Sequence, residues 1–528
     1  MSSLPPSTAR FFPPPDYLFP IRGSLSPWVY LRELTHSDNP VAPRNNMAED
    51  TNNDQHSIMS ANTPLTRRSF LVASSAGVAG FRFGGNSFGA TLPPSPRRKP
   101  AKTTILFFLC GGMSHVDTFD MKPDAPSEYR GPFNPIRTSA PDIQVCEHLP
   151  MTAKVTKHLA VVRSVSDHGR ATGDHHAGYY YNLTGQKPDL TFRTQGNNRR
   201  PYPEDWPFMG SAITSRLPAH PKLPKLITLP HKPSRPPFTR PGQFAGKLGL
   251  EYDPFYLKGD QLQPMQFSAP SLSLEGMTVD RLDSRQDLLS AVNQARRDFD
   301  HEVQIANYTK QQEKAFDLLA STASTSAFDL KSEPDKVRER YGKTINGMSL
   351  LMARRLAEAG VPFITVFWKE NTKLNKKCRS AGGWDTHGNN FGCLKEDLLP
   401  EFDRAYSALI EDLAQRNMLE DTLVLVNSEM GRKPKIGDPR SGGVKGAGRD
   451  HWTACQSVLL AGGGIQGGQV FGRTDRFGEY PIENSLSPSD ITQTVYHAMG
   501  VNDLLAEDEF GRPFNLIEDG RVLNELFS

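Results

Sequence analysis

Short apolar runs recur along this chain with helix-patterned stretches between them, and that alternation limits its fold more than any other feature. One run, at 103–109, closes on Cys110-Gly111-Gly112; others lie at 159–162, 362–367, 422–426 and 457–461. Such runs, bounded by turn residues, read as strands buried on both faces. Leu394, Leu398, Phe402, Tyr406, Leu409 and Leu413 recur at spacings of three and four, which puts them on one helical face. Leu350, Leu351, Ala353, Leu356 and Ala357 mark a second helix, with Gly360 as its C-terminal stop. Buried strands alternating with helices predict an α/β fold, a parallel sheet with helices on both faces.

Composition divides the rest. Residues 1–64 are rich in Pro, Ser and Asn without sustained periodicity and are expected to be disordered; Met47 and Met59 offer later starts for translation. Arg67-Arg68 ahead of the short apolar run 72–80 has the form of a twin-arginine export signal over 65–90, with Gly89-Ala90 small enough for cleavage. The expected location is therefore periplasmic or otherwise exported. Residues 91–101, containing Pro93-Pro94-Ser95-Pro96, read as a linker, and 102–528 as a single domain. Within it, 190–275 is Pro-rich and reads as an irregular insertion over the sheet, and 280–330 has a charged helical pattern.

No apolar run reaches the roughly 18 residues of an ordinary membrane span. With 61 Lys+Arg against 58 Asp+Glu, the formal net charge is +3, which gives no electrostatic footprint for nucleic acid. Cys110, Cys146, Cys378, Cys393 and Cys455 have no CxxC spacing, and no disulfide framework is expected.

Ligands of open α/β sheets bind beyond the carboxyl ends of the strands, and the polar residues of this chain gather there. The segments are 111–120, 166–176, 382–388 and 427–432, each following a strand, and 448–452, just before one. Of 14 histidines, six (His115, His168, His175, His176, His387 and His451) fall inside them, and each segment brings an Asp or Glu. Mixed imidazole and carboxylate donors suit zinc, manganese or iron better than calcium or magnesium. Four such segments make a two-ion site reasonable, one that holds an anionic ester and activates a nucleophile. Singly, each has a plainer role: Asp385/His387 as a hydrogen-bonded loop, Arg449-Asp450-His451 as an ion cluster. Neither a Gly-x-Ser-x-Gly elbow nor a Walker loop occurs.

The stretch from Leu106 through Gly111-Gly112-Met113-Ser114-His115-Val116-Asp117 to Asp120 resembles the opening of a large bacterial family of exported proteins, the domain of unknown function 1501. Cys146-Glu147-His148-Leu149-Pro150, Pro241-Gly242-Gln243, Trp384-Asp385-Thr386-His387-Gly388, Gly431-Arg432-Lys433-Pro434 and Gly448-Arg449-Asp450-His451-Trp452 match it in the same order. That family is similar to the alkaline phosphatase and sulfatase superfamily, which implies a metal-bearing sandwich with a largely parallel central sheet. The resemblance implies Asp385, His387 and His451 on one metal and Glu429 on the second. It also sets departures. The first-strand aspartate of the superfamily falls at Cys110, leaving His115 or Asp117 to supply that ligand. Met430 stands where a histidine is expected. Counting back from Leu183-Thr184-Gly185, the sulfatase nucleophile position falls on His175, and the Cys/Ser-x-Pro-x-Arg signature is absent.

The expected activity is hydrolysis of phosphate or sulfate esters, with a sulfated or phosphorylated glycan among the substrates. One or two divalent ions would be held by His115, Asp117, Asp385, His387, Glu429 and His451. His175 or Asp174 would act as nucleophile or base, unless water attacks directly or the site no longer turns over. Arg449 would grip the substrate's anionic oxygens, or else form a salt bridge to Asp450 or another carboxylate. The alternative is a non-catalytic anion- or glycan-binding envelope protein on the same fold.

Overall fold

The chain is described by a computed structural model over residues 99–268, 326–378, 383–437 and 448–527. The expected disordered segment, the export signal, most of the linker and most of the helical segment 280–330 lie outside these residues.

The apolar runs form strands as expected: β1 (Thr103–Phe108), β2 (Leu159–Val165), β5 (Phe363–Phe367), β6 (Thr422–Asn427) and β7 (Gln456–Ala461). Three more join them, β3 (Leu226–Leu229), β4 (Phe255–Tyr256) and β8 (Gln469–Phe471), to make one eight-stranded sheet in the order β8-β2-β7-β6-β1-β5-β3-β4. Six of its seven strand pairings would be parallel if every strand ran one way save an edge; instead β7, inside the sheet, is antiparallel to both β6 and β2, and all other pairs are parallel. The sheet is thus mostly parallel, with one reversed strand. That reversal matters. A residue just before β7 sits at the same edge as residues just after β1, β2, β5 and β6, which is why 448–452 joins the other polar segments.

Alternate residues of each strand feed opposite layers. Ile105, Phe107, Ile364, Val366, Val424 and Val426 share one core with the helices Ile345–Glu358 and Leu399–Gln415, and Phe107 stacks on Phe402 with ring centroids 5.9 Å apart. Leu106, Phe108, Phe363, Leu423 and Leu425 share the other with α1 (His175–Thr184) and the helices Met209–Ser215 and Pro488–Ala498. The heptad-like run predicted from Leu394 to Leu413 is helical throughout, beginning with a π-helical turn at Leu394–Leu398. Gly360 closes its helix at φ +89°, a conformation glycine adopts without a Cβ clash.

The Pro-rich segment 190–275 is more than a cover. Its described part supplies β3, β4 and the helix Met209–Ser215, so it extends the sheet rather than lying over it. Among the described residues no helix is long and apolar enough to cross a membrane.

Candidate metal centre

Asp385 is the point on which the carboxyl-edge segments converge. Its Oδ1 lies 2.9 Å from His387 Nε2, 3.1 Å from His451 Nε2 and accepts a 2.7 Å hydrogen bond from Arg432 Nη1. Its Oδ2 lies 3.3 Å from His175 Nε2. The two facing imidazole nitrogens, His387 Nε2 and His451 Nε2, are 3.2 Å apart. Through its other nitrogen His175 meets Glu429, Nδ1 to Oε1 at 2.8 Å, and the same oxygen accepts the Gly111 amide at 2.8 Å.

The local chain explains the convergence. At the end of β1, Gly111 has φ +119°, and a Cβ there would stand 2.7 Å from the Trp384 carbonyl carbon, so only glycine lets the β1 loop lie against Trp384-Asp385. Gly178, one turn into α1, plays a similar part: a Cβ would come within 3.0 Å of Glu429 Cβ. His175 opens α1, and Asp174 precedes it as N-cap. Arg432 and His451 face each other in a two-stranded ladder, Gly431–Arg432 against His451–Trp452, which delivers both side chains to Asp385.

Electrostatics follow from burial and these partners. Burial disfavours the Asp385 carboxylate, but the His175 and Arg432 charges and the hydrogen bonds from His175 and His387 outweigh it and hold the group well below the usual carboxylate range. For His175 burial pulls down, while Asp385 and Glu429 raise it on balance. Burial lowers His451.

His451 supplies the test of whether a cation belongs here. Its Nδ1 lies 2.8 Å from the Gly173 carbonyl oxygen, which can only accept, so Nδ1 carries the proton of the neutral ring. The Nε2 lone pair then faces the Asp385 carboxylate at 3.1 Å, lone pair toward negative charge. A cation between them removes that repulsion, and a backbone carbonyl behind the distal nitrogen is the usual support of a metal-ligating histidine. The donor separations agree. Ligands bound at about 2.0–2.1 Å in a tetrahedron stand about 3.3 Å apart; the Asp385 oxygens lie 2.9 to 3.3 Å from the three imidazole nitrogens, and those of His387 and His451 are 3.2 Å apart. His175, Asp385 and His451 together satisfy the spacing of a metal-holding group, and beside them Glu429 Oε2 is buried without a hydrogen-bond partner among the described residues.

Other candidates face elsewhere. Asp117 and Arg449 are wholly buried and bound to each other, with Ser114 and Asn390 also donating to Asp117. The remaining Arg449 donors go to the carbonyls of Lys433, Pro434 and Tyr129. Each side chain is committed to the other, and for Arg449 this is the salt bridge to another carboxylate that the sequence leaves open as its second role. His115, in the 3-10 turn His115–Asp117, is also fully buried, its Nε2 2.7 Å from the Gly478 carbonyl oxygen. The Asp174 carboxylate takes hydrogen bonds from Asn197 and Thr172, whereas His175 meets Asp385 and Glu429. His176, its neighbour, turns its Nδ1 to the Arg199 carbonyl.

Two contributors were not among the residues chosen from sequence: Arg432 and the Gly111 amide. The signal for Arg432 was its place in Gly431-Arg432-Lys433-Pro434. The cysteines also differ from expectation, because Cys378 and Cys393 form a disulfide that brackets Asp385 and His387.

Residues 101–527 match the model of a family described as "Protein of unknown function (DUF1501)". The chain belongs to this family. None of the curated proteins matches it in sequence. Solved structures similar to it include the phosphonate monoester hydrolase SpPMH from Silicibacter pomeroyi, at 12% identity over 80% of this chain and 76% of that one, TM-score 0.39. The PsFucS1 sulfatase from Pseudoalteromonas sp. aligns at 15% identity over 78% and 69%, TM-score 0.35. The alkaline phosphatase of the Antarctic bacterium TAB5 aligns at 12% over 77% and 100%, TM-score 0.33. Likeness at this level transfers no residue roles.

Proposed function

We propose that the protein is an exported, metal-dependent hydrolase of phosphate or sulfate esters. The observation that carries this reading is the convergence of His451 Nε2, its Nδ1 turned to the Gly173 carbonyl, with His387 and His175 on the Asp385 carboxylate. Asp385, His451 and His175 would hold the first ion, with His387 against the same Asp385 oxygen, and Glu429 Oε2, which has no hydrogen-bond partner among the described residues, is the donor for any second. Zinc, manganese or iron fit this nitrogen-rich set better than magnesium or calcium. When bound, a divalent ion acts as a Lewis acid on an ester oxygen.

The chain's own groups do the rest. Arg432 and the Gly111 amide fix the two carboxylates, so that His175 is held between Glu429 and Asp385. An imidazole so held can keep or release a proton at Nδ1 against Glu429 Oε1. Export is supported by the Arg67-Arg68 motif and by the disulfide, which persists in oxidising compartments. The substrate class follows the resemblance, a sulfated or phosphorylated ester such as a glycan.

A second reading, an anion-binding protein without turnover, is favoured by one observation: both ring nitrogens of His175 meet carboxylates rather than a hydroxyl or thiol nucleophile. Metal analysis of the wild type beside Asp385→Ala and His451→Ala, with turnover of aryl phosphate and aryl sulfate, separates the readings. Metal lost in both variants with ester turnover in the wild type supports the hydrolase. Metal without turnover leaves the binding protein, and equal metal in all three removes the centre.

A further inference from the structure

Hydrolysis of an anionic ester, or its binding, calls for a cation that is free to meet the anion's oxygens, and the two arginines at the centre are occupied. Arg449 is bound to Asp117 and three carbonyls. Arg432 is bound to Asp385 and the carbonyls of Gly111 and Arg449, and although its Nε has no partner among the described residues, the side chain is wholly withdrawn from solvent. A third arginine is placed differently. Arg240 lays its guanidinium over the Tyr179 ring, 4.9 Å from the ring centroid. Tyr179 follows His175 by four residues on α1, so the two side chains share one face of that helix. Arg240 therefore reaches over the helix face that carries His175.

The loop bearing Arg240 is built to stay there. Gly242, at φ +86°, lies so close to α1 that a Cβ would stand 2.8 Å from the Tyr180 Cα. Gln243 Nε2 donates to the carbonyls of Pro233 at 3.0 Å and Arg240 at 2.7 Å, closing the loop. Stacking on Tyr179 occupies the flat face of the guanidinium but none of its in-plane donors. Arg240 Nη1 is buried and has no hydrogen-bond partner among the described residues. A permanently charged donor in that state is costly unless an acceptor arrives. Its charge is also near enough to disfavour protonation of His175, His176 and His231.

We propose that Arg240 is the residue that receives the substrate's anionic group, binding the oxygens of a phosphate or sulfate through its open in-plane donors. The inference rests on the anionic-ester reading above and assigns to Arg240 the part that sequence alone gave to Arg449.

The test is calorimetric titration of the metal-loaded full chain with inorganic phosphate and with inorganic sulfate, for the wild type, Arg240→Met and Arg240→Lys, alongside metal content. Loss of a charge-assisted hydrogen-bonding pair should weaken anion binding about tenfold or more in Arg240→Met. Arg240→Lys should recover part of the loss, because it keeps the charge but not the planar fork. Metal content should be the same in all three. Equal anion affinity in the wild type and Arg240→Met, or no binding of either anion by a metal-loaded wild type, overturns the proposal while leaving the metal centre standing. A chain without metal whose anion binding still depends on Arg240 would instead remove the hydrolase reading and keep this one.

Discussion

Arg449 grips Asp117 through two parallel hydrogen bonds, Nε to Oδ2 at 2.7 Å and Nη2 to Oδ1 at 2.9 Å, with both side chains fully withdrawn from solvent. Removing one member of such a pair strands the other charge and costs about 3–5 kcal/mol. Arg449→Met is therefore expected to lose that much unfolding free energy in a denaturant titration, with metal retained by the folded fraction. An unchanged midpoint together with a raised KM would show that the guanidinium meets substrate after all.

Chelation offers a separate check on the centre. An ion that binds only the folded chain at a free concentration 100 times its Kd adds about 2.7 kcal/mol of stability. Dialysis against a strong chelator should lower the melting temperature of the wild type, and zinc or manganese should restore it. His451→Gln keeps a polar side chain but removes the nitrogen that faces Asp385, so its melting temperature should respond much less to either treatment. A full metal response in His451→Gln would take His451 out of the ligand set.

What the sequence made legible follows from what each signal encodes. Apolar runs at 103–109 and 422–426 announced buried strands because both their faces are covered. The strand at Leu226–Leu229 did not stand out: four residues within a Pro-rich segment carry too little periodicity. A run such as 457–461 records burial but not direction, so the reversal of β7 was hidden although Arg449-Asp450-His451 already stood on its correct side. Being next to a strand end brought Asp385, His387, Glu429, His451 and His175 to one edge. It could not say which partners a following turn meets, and the turn His115–Asp117 commits His115 to the Gly478 carbonyl and Asp117 to Arg449.

The Cys378–Cys393 bond is not legible in the sequence for a related reason, since it depends on the chain returning after 15 residues. Closing a loop of that size is worth about 3 kcal/mol in the chain-entropy account. Because Asp385 and His387 lie inside it, opening the loop should loosen the proposed metal centre. Unfolded without reductant, the protein should expose three titratable thiols, those of Cys110, Cys146 and Cys455. The double variant Cys378→Ser/Cys393→Ser should be less stable by about 2–4 kcal/mol and bind metal more weakly. Five thiols before reduction would mean that the bond is absent.

His231 gives the fold an acid-sensitive term that can be isolated. Burial, with Lys369 and Arg240 nearby, pushes its imidazole down to about 3 from an ordinary value of 6.5. Between those values the unfolded chain takes up a proton that the folded chain refuses. Stability is therefore complete above pH 6.5 and falls as the pH drops, by up to about 1.4 kcal/mol per pH unit from this residue. Asp253 works against it near neutrality: burial raises its carboxyl to about 6, so acidification through that value relieves a buried charge. The net slope also includes other buried groups, His176 lowered to about 4 among them, and the comparison with His231→Asn isolates the share of His231. The variant should lose less stability than the wild type between pH 6.5 and pH 4, as read from urea midpoints across that range. Parallel curves for the two proteins would mean that His231 takes up its proton in the folded chain as readily as in the unfolded one.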